Sequence, residues 1–336
     1  MPKLVIASAS YGIHAREALE RLTEIFDEIR RAVFRTGMRE EEVLREIGDA
    51  DAVILGGGGP ITRGVMEKAS NLKIIARHGI GLDNVDVEAA TELGIVVTYC
   101  RHTGEEISVA EHAIALMLAC ARRLIEADKC VREGRWRDRV KLVGVELRGK
   151  VLGIIGLGAI GREVAKIASK GLGMKVLAYD PYVPEGVFEE LGVKKVGLDE
   201  LLEKSDVITI HAPLTPETRG MLNHERLARV KPGAILVNTA RGAIVNEEAL
   251  YEMVVKGRIF YAGVDVFSEE PPVRSSLLKL ERAILTPHIA AFTKEGLYRM
   301  DMAIAEDLAR FFRGERPLHV ANPEVFERRV RASWLR

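Results

Sequence analysis

The chain has 336 residues, 49 of them basic and 49 acidic, for a net charge of +0. That length exceeds one ordinary core and implies two domains, and the balanced charge, with no basic block, excludes the electrostatic footprint of a nucleic-acid binder. Cys100, Cys120 and Cys130 offer neither a disulfide framework nor metal-ligand spacing, and neither a signal peptide nor a spanning apolar run is present, so no metal, no membrane and a cytoplasmic setting are expected.

Short β-branched runs alternate with helical patterns from the start: 4–7, a helix over 15–29, then 52–55, 73–76 and 95–97. Alternation of this kind predicts parallel strands with crossover helices, and unbroken apolar runs are what strands buried on both faces look like. A long helix is predicted over 108–132, followed by a Gly134-Arg135-Trp136 break and a polar linker up to Lys150. A second series then begins at 151–155 and continues through 175–179, 207–210, 234–237 and 260–264, and a last helix over 294–312 is free to return to the first domain. The fold class expected is therefore α/β, two Rossmann-like, doubly wound parallel-sheet domains. Glutamine is absent and Glu and Arg are plentiful, a composition that predicts a thermophilic source.

Gly156, Gly158 and Gly161 spell GxGxxG directly after the strand at 151–155 and at the start of a helix. Such glycines permit the tight turn, the approach of backbone to a pyrophosphate and close helix packing, while the helix N-terminus supplies donors for the phosphates. Asp180 closes the next strand, where an acid binding the adenosine ribose is expected. No Arg or Lys follows in Pro181-Tyr182, so NAD is expected over NADP. The run Gly56 to Gly59 lacks this pattern and reads as a loop.

Three charged residues follow strand-like segments of the second series: Arg241, Glu270 and His288. Ligands of open α/β sheets bind beyond the carboxyl ends of strands. Reduction of a 2-keto acid needs a cation for the carboxylate, a proton donor for the developing alkoxide and a group that orients that donor. A guanidinium, an imidazole and a carboxylate supply them. The other histidines singled out, His14, His112, His224 and His319, read as structural.

The segments Asn238-Thr239-Ala240-Arg241-Gly242, Asp265 to Pro271 and Thr286-Pro287-His288-Ile289-Ala290 resemble the three catalytic signatures of the D-isomer-specific 2-hydroxyacid dehydrogenases. The resemblance implies that Arg241 binds substrate, that Glu270 pairs with the histidine and that His288 gives or takes the proton. It implies a substrate loop at Arg77-His78-Gly79-Ile80-Gly81, with the Gly79 to Gly81 amides on the substrate carboxylate. It also implies that Ala159, Ile160, Thr239, Ala240, Arg241, Asp265, His288 and Ala290 join the glycines at the NAD site, with His211, Ala212 and Pro213 on its adenosine side. Under the same resemblance the substrate domain is flavodoxin-like and discontinuous, 1–101 with 290–336, the NAD-binding Rossmann domain is 102–289, and the chain forms a homodimer through the latter.

Within the family, Arg77-His78-Gly79, the short linker 136–149 and 143–147 are most similar to phosphoglycerate dehydrogenases. Arg77, Arg137, Arg139 and Lys141 would suit a phosphate, or else are linker charges in solvent. Two departures stand out: Tyr99-Cys100-Arg101-His102 replaces the usual Asn-Thr-Pro-type crossing, and no regulatory domain follows Arg336, so serine-type feedback is not expected. A glyoxylate or hydroxypyruvate reductase is the nearest alternative. Of another class is an NAD-sensing binding protein resembling the C-terminal-binding corepressors, for which the only sequence feature is the basic end 328–336.

Overall fold

The computed structural model describes residues 2–327, so the basic end 328–336 lies outside the described residues. The chain falls into two compact units that divide at Glu105/Glu106 and at Ala291/Phe292. Unit 1 contains strands β1 (Lys3–Ala7), β2 (Glu28–Arg31), β3 (Ala52–Leu55), β4 (Ile74–Arg77) and β5 (Val96–Tyr99). All pair in parallel in the order β2-β1-β3-β4-β5, which is the flavodoxin-like arrangement. Helices α1 (Arg16–Thr23), α2 (Glu40–Ile47), α3 (Arg63–Lys68) and α4 (Val87–Leu93) make the crossovers.

Every residue of β3 and β4 is buried, so β3 is apolar throughout and β4 is apolar up to its last residue, Arg77. Strand β2 lacks that pattern. Its Glu28-Ile29-Arg30-Arg31 sequence sits at the sheet edge, where charged side chains discourage further pairing. The helix expected over 15–29 accordingly stops at Thr23.

Helix α5 (Glu105–Arg122) leads into unit 2 and is followed by α6 (Leu124–Arg132). The single helix expected over 108–132 is broken at Arg123, which adopts the left-handed conformation at φ 52°. Neither glycine nor proline marks the break; instead the Arg123 guanidinium holds Glu126 at 2.7 and 2.8 Å. Residues Trp136–Lys141 form a 3-10 turn rather than open linker.

Seven parallel strands follow: β6 (Val151–Ile155), β7 (Lys175–Tyr179), β8 (Lys194–Lys195), β9 (Val207–Ile210), β10 (Ala234–Asn238), β11 (Ile259–Val264) and β12 (Ala283–Leu285). Their order is β12-β11-β10-β9-β6-β7-β8, so direction of winding reverses between β6 and β9, the switch point at which such sheets bind dinucleotides. Helices α7 (Ala159–Lys166), α8 (Glu185–Leu191), α9 (Leu198–Lys204), α10 (His224–Arg229) and α11 (Glu247–Val255) connect the strands. One apolar cluster gathers Leu201, Leu227, Leu250 and Ile259, another Met117, Val164, Phe188 and Tyr261. Helix α12 (Lys294–Phe312), capped by Thr293, returns to unit 1 and packs on α1, β4 and β5. Among the described residues, no helix is long and apolar enough to cross a membrane.

Candidate active site

The glycine-rich turn stands where β6 ends. Gly156 has φ +94°, and a Cβ there would lie 2.6 Å from the Ala212 amide nitrogen. Only glycine lets this turn pass so close to the strand end of β9. Helix α7 begins at Ala159 with Gly158 as N-cap and no side chain over its first amides, the open donor set a phosphate needs.

Asp180 follows β7. One carboxylate oxygen accepts from the Leu157 amide at 2.8 Å, the other from Tyr182 at 2.9 Å and Val183 at 3.2 Å. The acid therefore fixes the glycine-rich turn and its own loop together. Tyr182 in turn donates its hydroxyl to Glu217. A cavity of about 340 Å³, lined among others by Tyr179, Leu198, Glu217 and Met221, opens beside this strand end.

His211 follows β9, with Nε2 2.9 Å from Thr209 Oγ1. Burial pushes its pKa down to about 3, so the ring is neutral. Its Nδ1 and the Thr239 hydroxyl are buried with no protein partner. Orphaned polar atoms of this sort call for a ligand or water, and they stand at the ends of β9 and β10, where the sequence predicted cofactor contacts.

Arg241, Glu270 and His288 follow β10, β11 and β12, three neighbouring strands. Glu270 Oε2 lies 2.8 Å from His288 Nδ1, and its Oε1 accepts the Phe267 amide at 3.1 Å. Both side chains are part-exposed. The peptide bond from Glu270 to Pro271 is cis. His288 sits in the left-handed region at φ 54°, a conformation that needs support from its surroundings. Asp265 supplies it. Its carbonyl accepts the His288 amide at 2.8 Å, and its carboxylate accepts Ile289 N and Ala290 N at 2.9 Å each and the Thr286 hydroxyl at 2.6 Å. Burial opposes ionisation of Asp265, yet hydrogen bonds from His112, Thr286, Ile289 and Ala290 outweigh it and hold the carboxyl below its ordinary value.

Arg241 donates Nη1 to the Ala240 carbonyl at 2.7 Å, and Asn238 braces the same turn through the Arg241 carbonyl at 3.0 Å. A Cβ on Gly242 would lie 2.0 Å from the Phe267 carbonyl carbon. Glycine here lets the Arg241 turn close against the backbone that leads into Glu270.

His112 was not among the expected site residues. Its Nε2 lies 3.1 Å from Thr286 Oγ1 and 3.5 Å from Asp265 Oδ1, so it buttresses the His288 loop. No local signal marks it, because its partners are 174 and 153 residues away (286 − 112 and 265 − 112). Of the other histidines read as structural, His319 meets Asp307 at 3.0 Å, His224 meets Glu252 at 3.4 Å, and His14 is exposed.

In unit 1 the 77–86 loop follows β4. The Gly79 amide is taken by the Arg77 carbonyl at 3.0 Å, whereas the Ile80 and Gly81 amides have no protein acceptor among the described residues. Arg77 is buried and its guanidinium donates to the carbonyls of Leu55 and His78. It works beneath the loop. His78 is buried as well. Of the linker cations, Lys141 pairs with Asp138 at 2.9 Å and Arg139 lies over the Trp136 ring.

Residues 114–290 match the family model for the D-isomer specific 2-hydroxyacid dehydrogenase, NAD binding domain. Over 281 residues the chain is 48% identical to the D-3-phosphoglycerate dehydrogenase of Archaeoglobus fulgidus, covering 83% of this chain and 53% of that protein. It thus spans about half the length of that relative. Against the hydroxypyruvate reductase of Thermotoga maritima, identity is 43% over 305 residues, covering 89% of this chain and 98% of the reductase. The crystal structure of TT0316 protein from Thermus thermophilus superposes with a TM-score of 0.84 at 37% identity, covering 95% of this chain and 99% of the other.

Proposed function

The chain belongs to the D-isomer-specific 2-hydroxyacid dehydrogenases, and from that premise we propose that it interconverts a small D-2-hydroxy acid and its 2-keto acid with NAD, 3-phosphoglycerate being the leading substrate. The observation that carries the reading is the 2.8 Å bond from His288 Nδ1 to Glu270 beyond adjacent strand ends. With Nδ1 held by the carboxylate, Nε2 is the nitrogen that gives a proton to the substrate oxygen in reduction and takes it back in oxidation. Arg241 supplies charge suited to a substrate carboxylate, and in unit 1 the Ile80 and Gly81 amides are donors suited to a carboxylate.

The fit to NAD rests on the turn at Gly156, the uncapped N-terminus of α7, the carboxylate of Asp180 and the orphaned Thr239 hydroxyl. When bound, the nicotinamide supplies or accepts the hydride at substrate C2. Gly156, Gly158, Ala159, Ile160, Gly161 and Asp180 would hold its adenosine diphosphate half, with His211, Ala212 and Pro213 on the adenosine side. Thr239, Ala240, Asp265, His288 and Ala290 would line the rest of the site, with Asp265 toward the nicotinamide.

One observation favours a second substrate, hydroxypyruvate or glyoxylate. Arg77, the cation expected for a phosphate, is spent on main-chain carbonyls. The deciding experiment compares kcat/KM for 3-phosphoglycerate, hydroxypyruvate, glyoxylate and pyruvate in the wild type and in His288→Ala. Turnover that survives in His288→Ala, or NAD(H) left untouched by all four acids, overturns the assignment.

We also propose a cytoplasmic homodimer assembled through unit 2. Half of the exposed large hydrophobic side chains among the described residues lie within 107–145, including Leu124, Ile125, Val131, Trp136 and Val140.

A further inference from the structure

Unit 1 buries a histidine–carboxylate pair of its own. The side chains of His78 and Asp301 are 2% and 0% exposed, with His78 Nε2 3.0 Å from Asp301 Oδ1. On the other side of the ring, Nδ1 lies 2.8 Å from Ser8 Oγ and 3.4 Å from Ser10 Oγ. Asp301 Oδ2 accepts the Gly12 amide at 2.9 Å, its carbonyl accepts the Tyr11 hydroxyl at 3.2 Å, and the Tyr11 ring meets the imidazole edge-on. His78 Nε2 and Asp301 Oδ1 are both buried without a hydrogen-bond partner, so the two atoms meet as a close polar contact, while the hydrogen bonds of the array run through Ser8 and Gly12.

Ser, His and Asp are also the residues of a nucleophilic triad, but Ser8 is 5% exposed and no substrate bond has access to its hydroxyl. What the array does command is the backbone that follows. His78 is the residue before Gly79, whose φ of +136° turns the chain into the loop carrying the Ile80 and Gly81 amides. The His78 amide is fixed to the Leu55 carbonyl at 2.9 Å, and its ring is fixed to the segment after β1 and to α12. Three elements distant in sequence thus meet one residue at the root of the loop, two at its ring and one at its amide.

We propose that Ser8, His78 and Asp301 are positioning residues that hold the 79–81 loop in the shape presenting its amides to the substrate carboxylate. The inference rests on the reading of that loop as the carboxylate site. It departs from the sequence expectation that His78 itself meets the substrate, because the ring faces inward against Ser8 and Asp301.

The test uses the full chain with Asp301→Asn, His78→Ala, His78→Gln and Ser8→Ala. Deuterium exchange is followed by mass spectrometry over 77–86, alongside steady-state kinetics with hydroxypyruvate and glyoxylate and fluorescence titration with NADH. In Asp301→Asn and His78→Ala, exchange over 77–86 is expected to accelerate by about tenfold or more while the rest of unit 1 is unchanged. KM is expected to rise by about tenfold, with kcat within roughly threefold and NADH affinity within roughly twofold of wild type. His78→Gln, which still reaches toward Asp301, should recover part of the loss seen in His78→Ala, and Ser8→Ala should be the mildest. Wild-type exchange, faster exchange with an unchanged KM, or a loss of NADH affinity in parallel with KM each overturns the proposal. A wild-type chain inactive on every 2-keto acid removes the reading of the loop as carboxylate site, while the exchange data still decide whether the array holds the loop.

Discussion

Glu270 divides its carboxylate between one ring nitrogen of His288 and the Phe267 amide. In Glu270→Gln the oxygen satisfies Phe267 while the amide nitrogen faces Nδ1, a donor where the imidazolium needs an acceptor. General acid–base groups are worth about 10²–10⁴ in rate, so kcat is expected to fall by roughly 10²–10³ while NADH binding stays within about twofold, as stopped-flow and fluorescence titration would read. An unchanged kcat removes Glu270 from the chemistry. Gly242 tests the backbone side of the same site. A methyl group there meets the Phe267 carbonyl carbon at 2.0 Å, and backbone cannot move aside as a side-chain tip can, so Gly242→Ala is expected to cost about 1–3 kcal/mol of stability and most of the activity. The placement of Arg241, Glu270 and His288 beyond neighbouring strand ends was legible because each closes a strand-like run. The role of His112 was not. Pairing across 174 positions is a product of the fold, and a lone histidine on an apolar helix carries no mark of its partner.

At the scale of elements, two histidines report on how their strands and helices are anchored, with opposite signs. His211 follows β9 with its pKa pushed down by burial to about 3. The unfolded chain therefore takes up a proton near pH 6.5 that the folded one refuses, and stability falls as pH drops from about 6.5 toward 3, by at most about 1.4 kcal/mol per unit. His319 is held to Asp307 of α12, whose hydrogen bond raises the histidine's pKa against a smaller opposing effect of burial. Its contribution is complete below about pH 6.5 and is lost as pH rises through the folded value. Chemical denaturation across pH 4–9 should show a smaller acid loss in His211→Asn and a smaller alkaline loss in His319→Gln; a wild-type slope in either variant removes that histidine from the titration. The elements themselves were legible in proportion to burial. Strands β3 and β4, buried throughout, announce themselves as apolar runs, whereas β2 at the edge shares its charged sequence with a helix end, and β8 has only two residues. The break between α5 and α6 escaped for a different reason: Arg123, in the left-handed region, bonds Glu126 three residues on and also the Lys141 carbonyl 18 residues away, a partner that no local pattern shows.

For the molecule as a whole, composition left little room for anything but local recognition: with 49 charges of each sign, there is no long-range field to gather an anionic substrate or to keep copies of the chain apart. Association of two chains then depends on apolar surface. Soluble chains scatter single exposed hydrophobics, but here they concentrate in one stretch, 107–145, with Val140 72%, Trp136 61% and Val131 58% exposed. A stable interface requires roughly 800 Å² from each partner with an apolar centre, and side chains of this size and number are suited to provide it. If the proposed dimer is held by these apolar side chains, dimerisation is expected to be nearly indifferent to salt, whereas salt screens an ion-paired interface. Sedimentation velocity at low and high salt should give a dimer in both for the wild type. Leu124→Glu combined with Val140→Glu places charge among these side chains and should shift the chain to monomer. A monomeric wild type, or a variant that remains dimeric, would mean that the stretch from 107 to 145 covers something other than a second copy.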